Sequence, residues 1–369
     1  MLKVKKIFQK FFKSLTYKIY KLIYGEINGV INPNNDSRIK KINFEIDEID
    51  YNIFIVQNSR LYTDRVHDAA VVLDNKIIDE ASYQLRVKSG DATSARNNSN
   101  VKNNIVFKNG TPRFLKKVKG NVVSLLSGGG SNKNYFHWLY DVLPRIGILE
   151  KQNLLNQINF FLLPNTKEKF QKETLSLLNF SDEKILDSST YRHISCEKLF
   201  ITNHPYCLTN DAHEDAQNIP TWICQWLKSK FLKNKKEKNY PKKIYIDRGD
   251  NIFGRHIINK NQIEDILKKK QYYFTKLENL SFREQVEIFN NASNIIGLHG
   301  AGFANLSFCR PETRILEIKT TLAGSVINNL AKKNNLNYES IECESKDNNV
   351  GVQQGSIEVP IEELLRKLD

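Results

Sequence analysis

Cysteines, long apolar runs and, near the start, acidic residues are scarce in this chain. The five cysteines are an odd number and none has Cys-x-x-Cys spacing, which argues against a disulfide or zinc framework and indicates reduced thiols in a cytosolic protein. No run is long and apolar enough to span a bilayer. Lysines interrupt the apolar residues from the beginning, so no secretory signal is predicted either.

Basic residues, in contrast, are abundant. The chain has 369 residues, enough for two domains with full cores, and carries a formal net charge of +14. Such a charge favours an anionic partner, whether a nucleotide, a membrane lipid, an acidic glycan or a nucleic acid. Eight lysines and one acid fall within 228–243, and aromatic residues are sparse there. We therefore interpret this stretch as a solvated linker and predict no nucleic-acid surface.

The first 24 residues predict a basic amphipathic helix. Lysines lie largely on one side of it, and no acid precedes Glu26. The helix favours the interface of an anionic inner membrane, where each basic residue contributes on the order of 1 kcal/mol. The alternative is a helix that packs its apolar stripe on the protein's own core. The apolar residues at helical spacing are Val4, Phe8, Phe11, Leu15, Ile19 and Leu22.

Two patterns of secondary structure follow. Residues 27–120 hold short β-branched runs, at 52–56, 70–73 and 105–107 among others, which predict strands and hairpins. From residue 121 strands and helices alternate, and after residue 243 the alternation predicts a doubly wound parallel sheet. Predicted strands are 122–126, 160–163, 198–202, 243–247, 272–277, 294–299, 313–319 and 337–343. Predicted helices are 166–178, one from 220, 260–270, 281–292, 302–309, 325–334 and a terminal one from 360.

A glycine-rich turn follows the strand predicted at 294–299. It reads His299, Gly300, Ala301 and Gly302, and a helix-like run comes next. Glycine lets the backbone turn tightly and approach a ligand closely. The first N–H groups of a helix are unpaired and carry the positive end of its dipole. The pattern predicts a phosphate cradle, although many α/β folds contain such a turn for packing reasons alone.

Other motifs accompany this turn in a fixed order. His137-Trp-Leu-Tyr-Asp141 comes first, Asp247 and Arg248 follow, and Arg255 precedes Asn259 by four residues. Together with the turn and Glu317 they span roughly 121–318 and resemble glycosyltransferase family 61, which includes bacterial capsular-polysaccharide enzymes. One departure concerns Lys260 and Gln262, because the family usually reads Asn-Glu-x-Glu where this chain reads Asn-Lys-Asn-Gln. Any role of those two acids is not carried over.

The resemblance implies a GT-B-like α/β fold, in which two Rossmann-like domains face a cleft, here with extra β-hairpins in the N-terminal domain. It also implies inversion at the anomeric carbon and a nucleotide-sugar donor, with uridine expected as the base. Eukaryotic members of the family work behind a secretory signal or anchor. Since none is predicted here, we expect a bacterial enzyme at the cytoplasmic face of the membrane.

Stabilisation of a leaving diphosphate requires positive charge. Many glycosyltransferases use a metal held by Asp-x-Asp, a motif that does not occur in this chain. We therefore predict a metal-independent site without a cofactor, in which arginines and helix-end amides bind the donor. The predicted donor-binding residues are Arg248, Arg255, Asn259, His299, Gly300, Ala301, Gly302, Asn305 and Glu317.

Each donor-binding residue also has a plainer interpretation. Arg248 would pair with Asp247 or Asp250, and Arg255 would be a surface charge. His299 would cap the turn as a buried histidine, and Asn305 would pack. Glu317 either accepts hydrogen bonds from the ribose hydroxyls or pairs with a neighbouring cation, Lys319 or Arg314.

The catalytic base is predicted from His137 and Asp141, which are four residues apart and share a helix face with Arg145. Either Asp141 is the base and His137 orients the acceptor, or His137 is the base and Asp141 fixes its tautomer. The alternative is an ion pair of Asp141 with Arg145. The glycines at 128–130 either approach the donor sugar or form a flexible loop.

These interpretations predict a glycosyltransferase that extends a bacterial surface polysaccharide such as a capsule, a lipopolysaccharide or an exopolysaccharide. A non-catalytic sugar-nucleotide-binding scaffold is the alternative. The predicted partners are the nucleotide-sugar donor, a glycan or glycolipid acceptor and an anionic membrane surface at residues 1–24. The predicted divisions are a basic helix at 1–26, an acceptor-side domain at 27–227, a linker at 228–242, a nucleotide-sugar-binding domain at 243–350 and a C-terminal helix at 351–369.

Overall fold

The computed structural model describes residues 2–63, 68–84, 101–126, 133–209, 212–232, 239–249, 254–348, 350–351 and 353–369. The chain forms two compact units. Unit 1 comprises Met1–Glu168 and Asn179–Asp215, and unit 2 comprises Lys169–Leu178 and Ala216–Asp369. The interior of the predicted linker, 233–238, and the glycines at 128–130 lie outside the described residues.

The α-helices of the described residues are α1 Leu2–Tyr24, α2 Val106–Asn109, α3 Tyr135–His137, α4 Pro144–Lys151, α5 Lys169–Leu177, α6 Ala212–Ala216, α7 Thr221–Phe231, α8 Lys260–Lys269, α9 Phe282–Asn291, α10 Val326–Lys333 and α11 Ile361–Leu368. A π-helical segment, Trp138–Val142, lies between α3 and α4, and a 3-10 helix covers Ala301–Phe308. Shorter 3-10 turns are Pro33–Asn35, Val101–Asn103, Leu155–Gln157, Asp182–Lys184 and Leu277–Asn279.

The strands of unit 1 are β1 Gly29–Ile31, β2 Ile39–Ile46, β3 Ile49–Gln57, β4 Arg60–Tyr62, β5 Asp68–Leu73, β6 Lys76–Ile78, β7 Tyr83–Gln84, β8 Lys116–Lys117, β9 Asn121–Ser124, β10 Phe160–Leu163, β11 Ile185–Asp187, β12 His193–Ser195 and β13 Lys198–Thr202. Those of unit 2 are β14 Lys243–Ile246, β15 Arg255–Ile257, β16 Tyr273–Thr275, β17 Asn294–Leu298, β18 Arg314–Thr320, β19 Asn337–Cys343 and β20 Gly355–Ile357.

Unit 1 holds two sheets that share a core. The first runs β1-β6-β5-β4-β12-β8, with β7 paired to β5, and the second runs β11-β10-β9-β13-β3-β2. In the second sheet β11, β10, β9 and β13 are parallel, while β3 and β2 form an antiparallel hairpin on β13. Buried aliphatic and aromatic side chains from both sheets form one cluster, with Leu61 and Val71 from the first and Phe54, Val122 and Leu162 from the second.

The β-branched run at 105–107 is wrong as a strand, because it lies in helix α2. The side chain of Asn104 determines this local structure: its Oδ1 accepts a hydrogen bond from the Val106 N–H, and its Nδ2 donates to the carbonyls of Ala69 and Tyr83. Val106 is fully buried. The hydrogen bonds of Asn104 and tertiary burial therefore outweigh the β-propensity of Ile105 and Val106.

Helix α1 confirms the predicted N-terminal helix, and the apolar residues of its stripe from Phe11 to Leu22 lie outside the core. Its last turn packs on unit 1: the Tyr24 ring lies edge-on to His193, with centroids 4.9 Å apart, and its hydroxyl accepts a hydrogen bond from the Leu115 N–H at 2.9 Å. Leu22 is 86% exposed. Among the described residues, no helix is both long and apolar enough to cross a membrane. The exposed apolar residues of α1 are Phe11, Phe12, Leu15, Ile19, Leu22 and Ile23.

Unit 2 contains the predicted parallel sheet. Its order is β16-β14-β17-β18-β19, and every pair is parallel. The chain proceeds from β14 to one side and then returns to continue from β17 on the other, so the order reverses between β14 and β17. In open α/β sheets, ligands bind at the carboxyl ends of strands at such a switch point. Residues that directly follow β14 and β17 are therefore the candidates for a site.

Candidate functional sites

The turn after β17 lies at this switch point. His299 continues the ladder, with its N–H bonded to the Ile318 carbonyl at 2.7 Å, and the following helix is 3-10 instead of the predicted α-helix. Gly300 has an extended backbone that any residue could adopt. A glycine is needed there only because it has no side chain. A Cβ there would lie 2.3 Å from Nη1 of Arg248. The glycine thus admits an arginine side chain against the backbone.

Two guanidinium groups converge on one carbonyl oxygen beside this turn. Nη1 of Arg248, which follows β14, donates to the His299 carbonyl at 2.5 Å, and Nη1 of Arg255 on β15 donates to the same oxygen at 2.9 Å. Nη2 of Arg255 donates to Oε1 of Gln353 at 3.0 Å, and its Nε is buried without a hydrogen-bond partner among the described residues. Within that part of the chain, neither arginine forms a salt bridge with a carboxylate.

Electrostatics therefore favour an anion at this point. Burial, followed by the charge of Arg248, lowers the pKa of Arg255 to about 10, and burial also lowers the pKa of Arg248. Desolvation destabilises both cations and the charge of Arg248 destabilises Arg255 further, and these effects outweigh the opposite ones of Glu278 on Arg248 and of Glu317 on Arg255. A diphosphate would supply the missing negative charge and match the planar donor forks.

Asp247 does not pair with Arg248. Its Oδ1 accepts from the Gly249 N–H at 2.9 Å and lies 3.3 Å from Nζ of Lys260, and Nζ of Lys276 lies 3.9 Å from Oδ2. Asp250 lies outside the described residues. Lys260, the departure from the family pattern, thus neutralises the carboxylate at the end of β14 and leaves Arg248 for the turn.

The remaining predicted donor-binding side chains, Asn259 and Asn305, are hydrogen-bonded within unit 2, and Asn305 bonds the turn itself. Asn259 exchanges two hydrogen bonds with the backbone of Val359, at 2.8 and 3.0 Å. Asn305 is fully buried and donates to Oε1 of Gln285 and to the Gly302 carbonyl, both at 3.1 Å. Both side chains have structural partners, and a contact of either with the donor stays a prediction. Gly300, Ala301 and Gly302 remain partly exposed.

Glu317 on β18 is fully buried. Its Oε1 is hydrogen-bonded to Nδ1 of His299, and its Oε2 accepts from the hydroxyl of Tyr338 at 2.5 Å. Both carboxylate oxygens thus already have donors. Among the described residues Glu317 does not pair with Lys319 or Arg314, and a contact with the ribose stays a prediction. Lys319 pairs with Glu342 at 3.2 Å.

A second polar cluster lies in unit 1, around the π-helical segment. Asn134 caps the helix by accepting from the N–H groups of Phe136 and His137. Nδ1 of His137 lies 2.9 Å from Oδ2 of Asp141. The helix therefore places both predicted catalytic residues on one face, as their spacing indicated. The side chain of His137 is 19% exposed, whereas that of Asp141 is 1% exposed.

Arg145 bonds the backbone of this cluster and not the Asp141 carboxylate. Its Nε donates to the Asp141 carbonyl at 3.1 Å, and its Nη1 donates to the carbonyl and hydroxyl of Thr202 at 3.1 and 3.2 Å. The ion pair considered from the sequence is absent between these two side chains. Arg145 instead ties the helix to the end of β13, and its buried charge lies close to Asp141.

Two further members of the cluster were missed by the sequence reasoning. The Tyr206 hydroxyl donates to Oδ1 of Asp141 at 2.6 Å, and Nε2 of His204 lies 3.7 Å from Oδ2, beyond hydrogen-bond distance. Nδ1 of His204 accepts from the N–H groups of Tyr206 and Cys207 at 3.3 and 2.9 Å. The available signal was topological, because β9 and β13 are parallel neighbours and the segments that follow them emerge at the same sheet edge.

The environment keeps Asp141 ionised. Burial alone would raise its pKa, but His137 and then His204 together outweigh burial and hold it below the ordinary value. Because Asp141 is enclosed and its oxygens are engaged, it is placed to orient His137. His137 is the member of the pair whose ring reaches solvent, and a positioned imidazole is a common general base.

A family model matches the part of the chain that holds both arginines and the His137–Asp141 pair. Residues 135–316 match the model of the family Glycosyltransferase 61. The predicted resemblance to this family is confirmed over just under half of the chain, and the match supports a glycosyltransferase. A search of curated proteins gave no match.

The glycosyltransferase 61 segment begins two residues before His137 and ends one residue before Glu317. It therefore contains the His137–Asp141 pair, both arginines and the turn at His299. His204 and Tyr206 also fall inside it. Glu317 and Tyr338 fall outside it, so their arrangement is known from the structure of this chain and not from the family match.

Proposed function

We propose that this protein is an inverting, metal-independent glycosyltransferase that transfers a sugar from a nucleotide-sugar donor, with uridine as the expected base, to a hydroxyl group of a bacterial surface polysaccharide. The observation that carries the proposal is the convergence of Arg248 and Arg255 on the His299 carbonyl at the switch point of the unit 2 sheet. Fixed cations at this position stabilise charge that develops on a leaving diphosphate. The match to glycosyltransferase 61 supports the reaction class.

We assign acceptor activation to His137. Its Nδ1 is bonded to Asp141, so Nε2 is the ring atom left to take the proton of the acceptor hydroxyl. The oxygen then attacks the anomeric carbon, the bond from that carbon to the diphosphate breaks, and the electron pair leaves with the diphosphate. A single in-line displacement of this kind inverts the anomeric centre. Asp141 stabilises the imidazolium that forms, and a GT-B arrangement of the two units is part of the proposal.

Nucleotide binding tests the donor site directly. A thermal-shift screen would compare UDP-, GDP-, CMP- and dTDP-sugars, with and without EDTA. A ligand that binds only the folded state at a hundred times its Kd adds about 2.7 kcal/mol of stability. We expect a shift with one nucleotide class that is unchanged by EDTA. The same shift in the Arg248→Ala, Arg255→Ala double variant would refute the assigned site, with Arg283→Ala, on helix α9 of unit 2, as the control.

The alternative function is a sugar-nucleotide-binding scaffold, which would bind the donor without turning it over. Release of nucleoside diphosphate from a bound donor, measured with and without acceptor glycans, separates the two. We expect slow hydrolysis by the wild type that is lost in His137→Gln. Donor binding without any release of diphosphate, across all acceptors, would favour the scaffold.

We also propose that α1 binds an anionic membrane at the cytoplasmic face. Phe114 is 74% exposed and lies edge-on to Tyr20 of this helix with centroids 5.3 Å apart, so it adds to the exposed apolar side chains there. Tyr20 and Tyr24 face the body of unit 1, while Lys13 and Lys18 are exposed. The helix thus presents apolar and basic side chains away from the unit on which it is seated, as an interfacial helix does.

Vesicle sedimentation tests this membrane proposal. We expect binding to vesicles that contain anionic phospholipid and weaker binding to neutral ones. The Ile19→Ser, Leu22→Ser double variant should sediment less, and Lys13→Gln should reduce binding to anionic vesicles by about fivefold, since each basic residue contributes about 1 kcal/mol. Asn43→Ser, on β2 of unit 1, is the matched control. Undiminished sedimentation of the double variant would place the membrane contact elsewhere.

A further inference from the structure

Three side chains of unit 2 form a chain of hydrogen bonds beside the proposed donor site, in which His299 and Glu317 are buried and Tyr338 is partly buried. Glu317 on β18 lies in register with Gly297 on β17 and with Ser340 on β19. Tyr338 and His299 are each two residues from those partners and so lie on the same face of the sheet as Glu317. The Tyr338 hydroxyl reaches one oxygen of Glu317, and Nδ1 of His299 reaches the other.

The chemistry of the three side chains shows which atom donates each of these two hydrogen bonds. Burial and the adjacent Glu317 raise the pKa of Tyr338, so its hydroxyl keeps its proton and donates it to Oε2. With both oxygens of Glu317 acting as acceptors, Nδ1 of His299 carries the hydrogen of the second bond. The arrangement fixes both the rotation of the imidazole and its tautomer.

The hydrogen on Nδ1 of His299 determines what the other ring nitrogen, Nε2, can do. In a neutral imidazole with a hydrogen on Nδ1, Nε2 is an acceptor. Nε2 makes no hydrogen bond to the described residues, although the side chain is only 6% exposed. Phosphate oxygens are acceptors as well and would be repelled by it, whereas the guanidinium groups of Arg248 and Arg255 are suited to them. A hydroxyl group is the part of a nucleotide sugar that suits an acceptor.

We propose that Tyr338 and Glu317 are positioning residues that hold His299 as the Nδ1–H tautomer, and that its Nε2 accepts a hydrogen bond from a hydroxyl of the nucleotide sugar. This inference rests on the proposed donor site and gives its residues different roles: the arginines bind phosphate, and His299 recognises a hydroxyl. A site built to accept from a hydroxyl discriminates against analogues that lack it, because its buried acceptor is then unpaired.

The tautomer can be measured without any ligand. Histidine of the full-length chain would be labelled with nitrogen-15, and long-range proton–nitrogen correlation would show which ring nitrogen carries the hydrogen. The His299 signals would be assigned by their loss in His299→Gln. We expect hydrogen on Nδ1. Hydrogen on Nε2 alone, or on both nitrogens at neutral pH, would overturn the inference whatever the protein does with nucleotides.

Affinity measurements test the role of the tautomer. Calorimetry would compare the nucleotide sugar in wild type, Glu317→Gln and Glu317→Met. The amide oxygen introduced by Glu317→Gln can still accept from Nδ1–H, so we expect an affinity within about twofold of wild type, and roughly a five- to tenfold loss in Glu317→Met. Equal losses in both variants would show that the charge matters and not the tautomer, which overturns the inference. If Glu317→Met fails to fold, Tyr338→Phe replaces it, with about a twofold loss expected.

The source of the hydroxyl can be identified by measuring the loss of affinity in Glu317→Met, or in its replacement Tyr338→Phe, for three ligands. These are the nucleotide sugar, the free nucleoside diphosphate and that diphosphate without its ribose hydroxyls. A loss confined to the nucleotide sugar places the hydroxyl on the sugar that is transferred. An equal loss for the free nucleoside diphosphate, which vanishes when the ribose hydroxyls are removed, places it on the ribose. An equal loss for all three ligands would indicate a phosphate contact and overturn the inference. Failure of the wild type to bind any nucleotide would instead overturn the donor site itself.

Discussion

Replacement of Asp141 by asparagine tests the proposed proton-transfer cluster separately from the proposed donor site. The carboxylate is fully buried and is bonded to Nδ1 of His137 at 2.9 Å and to the Tyr206 hydroxyl at 2.6 Å. An amide of the same size keeps one acceptor and turns an N–H group toward one of these partners. His137 then loses either its tautomer or the negative charge that stabilises its protonated form.

The expected magnitude follows from these contacts. A positioned general base contributes about a hundred- to ten-thousandfold in rate, or about 2.7 to 5.5 kcal/mol of activation free energy. The buried donor left without an acceptor costs about 1 to 3 kcal/mol of folding stability. Nucleotide affinity should be unchanged, because Asp141 lies in unit 1 and the arginine pair lies in unit 2.

The assay combines three measurements on purified full-length protein: kcat for release of nucleoside diphosphate at saturating donor and acceptor, the Kd of the nucleoside diphosphate, and the midpoint of thermal unfolding. Asp182→Asn is the matched control, since it makes the same change at an exposed position of the same unit. We expect its three values to equal those of the wild type. For Asp141→Asn we expect kcat to fall by at least about a hundredfold at unchanged Kd.

Full turnover of Asp141→Asn would refute the assignment of His137 and Asp141 as the catalytic pair. A parallel loss of kcat and nucleotide affinity would show that the substitution disturbs the fold as a whole. His137→Gln should reproduce the loss of kcat, because the buried Asp141 carboxylate cannot take the proton of an acceptor hydroxyl in place of His137.

Three further outcomes follow from the structure. Arg255→Lys should weaken nucleoside diphosphate binding roughly ten- to hundredfold in calorimetry, since a charge-assisted bond is worth about 1.5 to 3 kcal/mol, and unchanged affinity would contradict the anion site. Gly300→Ala should also weaken it, because the new Cβ would lie 2.3 Å from Nη1 of Arg248; an alanine variant with normal affinity would show that Arg248 can move at no cost. Burial lowers the pKa of His193 from 6.5 to about 4, so the unfolded chain takes up the proton first. Stability is therefore full above pH 6.5 and should fall by about 3 kcal/mol toward pH 4 in urea titrations, a slope that His193→Phe should lose.

Most of the secondary structure could be predicted because it depends on local pattern. The strand at 160–163 and the strand at 337–343 have the predicted bounds, and α9 begins at a capping box of Ser281 and Glu284 that is visible in the sequence. The parallel sheet of unit 2 follows from strict alternation of strands and helices. The 3-10 geometry of Ala301–Phe308 did not follow, because the apolar residues of that segment are compatible with either helix.

The sequence assigned Arg248, Arg255 and His299 to one donor site, and that role stays a prediction. Arg248, Arg255 and His299 meet as the motif order suggested. Their common point is the His299 carbonyl, which no spacing rule identifies. Glu317 was noted as a strand-end acid, but its hydrogen bonds to His299 and Tyr338 depend on the register of three parallel strands. Tyr338 itself carries no local signal.

By itself, the sequence determined the family match, the alternating pattern of unit 2, the N-terminal helix α1 and the pairing of His137 with Asp141. Each of these depends on residues a few positions apart. Only the tertiary structure decided which members of each cluster are accessible. It buries Asp141 and leaves His137 partly exposed, brings Tyr206 to Asp141 across 65 residues, and seats α1 with its apolar stripe outward. Burial and long-range contact arise from the packing of strands that are distant in sequence, and no local pattern encodes that packing.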